Sequence, residues 1–118
     1  MSSRSLPRLD SRFADGSPDD ADVQPIVEAL QDPDCRRILR VAGDDPLTVK
    51  ELADACRLPL STTYRKVDLL LEADLVSEGV RVREDGKHPA QYVRRVDEVT
   101  VDLTVADGFE FRSKIRGP

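Results

Sequence analysis

Apolar residues recur at helical spacing through the first two thirds of the chain and alternate with polar ones after it, which predicts helices followed by strands. Ile26, Val27 and Leu30 share one side of a first helix that Asp22 can cap. Asp32 followed by Pro33 reads as an N-cap with proline at the first helical position. The helix they open has the stripe Cys35, Ile38, Leu39 and Ala42 and ends at Gly43. Thr48, with Glu51 three residues on, makes a capping box, in which each side chain satisfies the other's free backbone N–H. Leu47 and Leu52 stand where a hydrophobic staple would, and Val49, Leu52, Ala53 and Cys56 form the buried stripe of this third helix. Arg57-Leu58-Pro59-Leu60 is a turn, because proline cannot continue a helix and biases the residue before it away from helical angles. Ser61 is then expected to cap a fourth helix with Thr63, Val67 and Leu70 inward and Leu71 at the margin.

From Leu75-Val76 onward the period changes. Val80-Arg81-Val82-Arg83 alternates apolar with basic residues, residues 84–89 supply turn chemistry, and residues 91–96 read as a returning strand. Two capped helices joined by a tight turn and followed by a ribbon predict an α+β fold, a winged helix-turn-helix. Ser61, Thr62, Tyr64, Arg65 and Lys66 then face outward at the start of the fourth helix, where hydroxyl, phenol, guanidinium and ammonium groups can bond base edges or phosphates in a major groove. Arg81 and Arg83 on the approaching strand, with Lys87 and His88 at the tip, place positive charge where a wing meets the sugar-phosphate backbone. The bland alternatives are a solvated helix face and a charged hairpin tip.

The run STTYRKVDLLLEADLV followed by a basic hairpin resembles the recognition helix and wing of ArsR-type winged-helix transcriptional regulators, especially those of halophilic archaea, over residues 23–96. That resemblance implies a sequence-specific regulator of double-stranded DNA, acting as a homodimer; a cytoplasmic location is expected from the lack of an apolar span and from a polar N-terminus broken by Pro7. Two departures stand out. Asp74 occupies the place of a glycine before the Leu-Val that opens the wing, so an Asp tolerating left-handed angles is expected there. The Cys-x-Cys pair of metal-sensing members is missing from the third helix, so no metal and no cofactor are expected.

Composition fits the habitat half of the resemblance. The 118 residues carry a net charge of −5, the acids are mostly Asp, the bases mostly Arg, and Lys occurs only at 50, 66, 87 and 114. In molar salt the screening length shrinks to about 3 Å, so local charge matters more than net charge. Bases slightly outnumber acids between Ser61 and Arg95, the least acidic stretch of the chain. The length suits one small domain, and no apolar run is long enough for a membrane span or a signal peptide. Residues 1–21, rich in Ser, Asp and Arg, are expected to be a disordered tail, in which Arg4, Arg8 and Arg12 could form a DNA-touching arm. Cys35 and Cys56 lie on core stripes, and two thiols with the lone His88 are too few for a zinc site, so both read as small buried hydrophobes. No phosphate loop or nucleophile elbow is present, and the reading is not an enzyme. Two rivals remain, a winged helix used for protein contact and a thiol- or metal-responsive repressor.

Residues 97–118 read as a C-terminal β-hairpin. A three-residue loop at Ala106-Asp107-Gly108, with Gly108 left-handed, would set Val105 opposite Phe109, Leu103 opposite Phe111 and Val99 opposite Ile115, gathering the apolar residues on one face. A lone two-stranded hairpin is marginal, so this face is expected to pack on residues 22–96 or on a second subunit as a dimerisation element.

Overall fold

In the computed structural model, which describes residues 20–106 and 108–116, the elements run α1 (Asp20–Gln31), α2 (Pro33–Val41), β1 (Leu47–Thr48), α3 (Val49–Cys56), α4 (Leu60–Glu72), β2 (Val76–Val80), β3 (Ala90–Arg94), β4 (Val96–Asp102) and β5 (Glu110–Ile115). The arm bearing Arg4, Arg8 and Arg12 lies outside the described residues. The architecture is α+β: a winged helix-turn-helix with a β-hairpin after it.

Local chemistry accounts for most helix ends. Asp32 caps α2, its Oδ1 accepting from the Asp34 backbone N–H at 2.9 Å, with Pro33 in the first turn. Thr48 and Glu51 form the complete capping box of α3, with bonds of 3.2 and 2.9 Å. The α4 start differs from expectation. Its N-cap is Pro59, with no side-chain cap, and Ser61 lies within the first turn. Pro59 already holds the extended φ and ψ that a cap needs, and its carbonyl accepts both the N–H and the hydroxyl of Thr63, at 3.0 and 2.9 Å. That leaves the buried threonine satisfied. The first helix is also phased differently: α1 has already begun at Asp20, and it buries Val23, Ile26 and Ala29 while Val27 is exposed.

Two residues without glycine's freedom take left-handed angles on either side of α4. Arg57 (φ 58°) ends α3, and Asp74 (φ 59°) turns the chain from α4 into the wing, as its side chain can tolerate. The Leu75 N–H then donates to the Leu70 carbonyl at 3.0 Å, closing that turn.

The core lies where the four described helices meet the sheet. Ile38, Leu52, Leu70, Val67, Thr63 and Cys35 are its largest fully buried side chains, drawn from α2, α3 and α4. Truncating Leu52 or Leu70 to alanine would cost about 2–5 kcal/mol through lost transfer energy and the cavity left behind. A strand not foreseen in the sequence completes the layer: β1 pairs antiparallel with β3, which also pairs with β2, giving the order β1-β3-β2. Tyr92 on β3 is buried against this core, and its hydroxyl donates to Glu78 at 3.2 Å; desolvation, with the Glu78 charge second, pushes that hydroxyl up to about 12.

The wing strands sit nearer the core than expected, at residues 76–80 and 90–94, so Arg81 and Arg83 belong to the 81–89 loop and Val96 to the next hairpin. That hairpin is shifted as well. Val101 lies opposite Phe111 and Val99 opposite Ser113, with an irregularity before Val96 meets Ile115. The cause is an Asx turn: the Asp102 carboxylate accepts from the Thr104 backbone N–H (2.9 Å) and hydroxyl (2.7 Å), which ends β4 at that residue and leaves a wider loop over 103–109. A two-residue shift preserves sidedness, so Val99, Val101 and Phe111 still share a face. Gly108 does take a positive φ, 115°, within the loop.

Candidate nucleic-acid interface

The first two turns of α4 divide the predicted contact residues cleanly by exposure. Thr63 and Val67 are buried, whereas Ser61, Tyr64 and Arg65 are exposed and Thr62 is half-buried. A helix N-terminus also presents unsatisfied N–H groups and the positive end of the helix dipole, so this end of α4 suits a phosphate or an electronegative base edge. Tyr64, 54% exposed, is an amphipathic ring held out from the body by a helix anchored on Val67 and Leu70. Arg65 makes no ion pair with another described residue.

Lys66 is different. Its ammonium donates to Asp32 Oδ2, with only 18% and 19% of the two side chains exposed. Through this hydrogen bond and ion pair the Lys66 pKa is raised and that of Asp32 is lowered. The sequence offered Lys66 as an outward cation; its position on α4 instead faces the cap of α2, and its charge is neutralised there. Arg81 is committed in the same way. Its guanidinium holds both oxygens of Glu51 at 2.9 Å and Gln91 Oε1 at 3.0 Å. Held chiefly by Arg81, and next by the Thr48 backbone N–H, the Glu51 carboxyl is lowered to about 2. Glu51, Gln91 and Asp32 are thus parts of the site's frame. Glu51 and Asp32 were legible as helix caps; their second bonds, to residues 30 and 34 positions away, had no local signal.

The remaining wing residues project outward. Arg83, Lys87 and His88 are all exposed. The tip is shaped by short-range bonds: Lys87 N–H donates to Asp85 Oδ1 at 2.9 Å, Arg83 N–H donates to His88 Nδ1 at 3.2 Å, and Gly86 takes a φ of 81° that suits it to the bend. Arg83 also pairs loosely with Asp85, at 3.6 Å with both side chains about half exposed, a contact too solvated to hold it.

Residues 30–78 match the family model of a helix-turn-helix domain. The match takes in α2, β1, α3, α4 and the start of β2, and so includes the exposed α4 residues. In fold, the chain is similar to the crystal structure of NolR from Sinorhizobium fredii, with a TM-score of 0.52 and 18% sequence identity over 75% of this chain and 81% of that chain. No curated protein sequence matches it.

The thiols of this helix-turn-helix domain are structural. Cys35 and Cys56 are free and buried, and desolvation raises both pKa values, that of Cys35 to about 11. Thiolate chemistry needs the opposite environment, exposed and electropositive. Among the described residues, no helix is long and apolar enough to cross a membrane, and no group of three His, Cys, Asp or Glu side chains is placed to hold a metal ion.

Proposed function

We propose that the protein is a transcriptional regulator of the ArsR type that binds specific sites on double-stranded DNA in the cytoplasm, with α4 in the major groove and the wing tip on the backbone. The observation that carries this reading is the exposed row Ser61, Tyr64 and Arg65 at the N-terminal end of a helix whose opposite side is fixed in the core of a helix-turn-helix domain. Thr62 sits at the margin of that row, and Arg83, Lys87 and His88 supply the wing contacts. Lys66 and Arg81 act through the frame. Residues 22–96 form the DNA-binding unit, and the C-terminal hairpin serves a homodimer, whose twofold axis would match a palindromic operator. Its exposed apolar residues support that role: Val101 is 46%, Leu103 72% and Phe109 38% exposed, and the Phe109 and Phe111 rings lie 5.5 Å apart at 58°.

The experiment is to map bound DNA across the genome and titrate the purified protein on the recovered sequence. A recurrent palindrome bound well above scrambled DNA is the expected result. Binding that shows no sequence preference at any salt would favour the alternative, a winged helix used to contact another protein.

A further inference from the structure

We infer that Arg81 is a positioning residue that fixes the wing to the N-terminal end of α3, and is not itself a contact to the DNA backbone. The inference rests on the DNA reading above for its consequence, but the brace is a property of the free protein.

The register of the sheet brings the parts together. Thr48 on β1, Gln91 on β3 and Gly79 on β2 stand directly opposite one another, forming one row across the three strands. Arg81 follows Gly79 by two positions, and its side chain reaches over this row. Nε donates to Gln91 Oε1 at 3.0 Å; Nη1 and Nη2 each donate to a different Glu51 oxygen at 2.9 Å; Nη2 donates also to the Pro46 carbonyl at 3.1 Å. A guanidinium has five N–H donors in a rigid fork, so these bonds leave one, too few for the bidentate grip that makes arginine a strong phosphate ligand. The backbone of Arg81 is used as well, its N–H donating to the Pro89 carbonyl at 3.0 Å and closing the neck of the wing.

Glu51 is the other half of the brace. While Arg81 holds both its oxygens, Oε1 also accepts the Thr48 backbone N–H at 2.9 Å as the reciprocal bond of the capping box. One carboxylate therefore ends α3 and anchors the wing. The pair carries no net charge, so it adds little to the attraction for phosphates. What it sets is the angle at which Arg83, Lys87 and His88 are held relative to the helix-turn-helix.

The test uses the full chain with Arg81→Met, Arg81→Lys, Glu51→Gln and the double variant Arg81→Met/Glu51→Gln. Glutamine still completes a capping box, so Glu51→Gln removes the charge on the wing's anchor while keeping α3 capped. Amide hydrogen exchange is read at Arg81 without DNA, and affinity for a mapped site is read as a function of salt. If Arg81 is a brace, Arg81→Met and Glu51→Gln both speed exchange at the Arg81 amide. Each also weakens binding by a similar factor, up to about fivefold. The double variant is no weaker than either single one, Arg81→Lys recovers only part of the loss, and the slope of log affinity against log salt is unchanged. Two outcomes overturn the inference. One is a slope flatter by about one unit in Arg81→Met while Glu51→Gln binds as well as the parent, which is the mark of a lost phosphate contact. The other is unaltered exchange in both single variants. A parent protein that binds no DNA removes the regulator reading alone, since the exchange measurement still decides whether the brace exists.

Discussion

Lys66, on the proposed recognition helix α4, gives its ammonium to Asp32, the residue that caps α2, two helices earlier. Asp32 thereby does two things with two oxygens: Oδ1 holds the first turn of α2 and Oδ2 holds α4. The pair links α4 to the start of α2, although neither residue belongs to the deep core.

Replacing Asp32 separates these roles. Asp32→Asn keeps a good N-cap and loses the ion pair; Asp32→Ala loses both and should destabilise the protein by about 0.5–2 kcal/mol through the cap alone. The pH dependence follows from the directions of the shifts. Asp32 is lowered when folded, so its contribution is present above the ordinary carboxyl value of 3.8 and is lost as pH falls through the folded value below it. Lys66 is raised, so its contribution is present below 10.5 and is lost as pH climbs through the folded value above it. Urea midpoints of Asp32→Asn and the parent should differ between these limits and converge at lower pH.

Tyr64→Ala and Arg65→Ala should each weaken binding to a specific site by about 1–3 kcal/mol while leaving the thermal midpoint near the parent's, because both side chains are exposed. Titrations at constant salt, paired with melting curves, check this. Unchanged affinity in both variants would remove α4 from the interface.

Lys87→Ala should lower affinity equally for specific and unrelated DNA, and flatten the salt dependence by about 0.9 in log–log slope, as expected when one phosphate contact is lost. A changed sequence preference would instead give Lys87 a role in base reading.

Val101→Glu with Leu103→Glu should leave a folded protein of monomeric mass, since these side chains are exposed within one subunit and only a partner would cover them. Light scattering over a concentration series measures it. A double variant that stays dimeric would move the interface elsewhere.

Cys35 and Cys56 should resist an alkylating reagent in the native protein and react at the rate of global unfolding, because both are buried and their thiol forms are favoured. Rapid labelling under native conditions would revive the thiol-sensing reading.

What could be read in the chain depended on how far apart the partners are. The Asp32-Pro33 start, the Thr48 and Glu51 box and the left-handed Asp74 are legible because each is decided within a few residues. Ser61 lies inside α4 and not at its cap, because a proline can preset cap angles without offering a side-chain acceptor, and a residue-type rule then passes to the next hydroxyl. Val27 faces outward because the phase of α1 is set by contacts with other helices, which favour Val23 and Ala29. The hairpin register turned on the bonds from Thr104 to Asp102, which compete with strand pairing. The commitments of Lys66 and Arg81 were invisible for a stronger reason. A basic residue reads alike along the chain whether its partner is a phosphate or a carboxylate brought close by the fold.

The left-handed residues that bracket α4 bear on how costly docking would be. Glycine at 57 or 74 would reach those angles without steric cost but would also visit many others, letting the helix swivel at both ends. Arginine and aspartate accept some strain and give up that freedom. The helix is mounted on two stiff joints, so its orientation is settled before any partner arrives, and little orientational entropy is left to lose on contact. Free and bound forms should then superimpose closely over α3 and α4, with the adjustment taken up in the exposed tip of the wing.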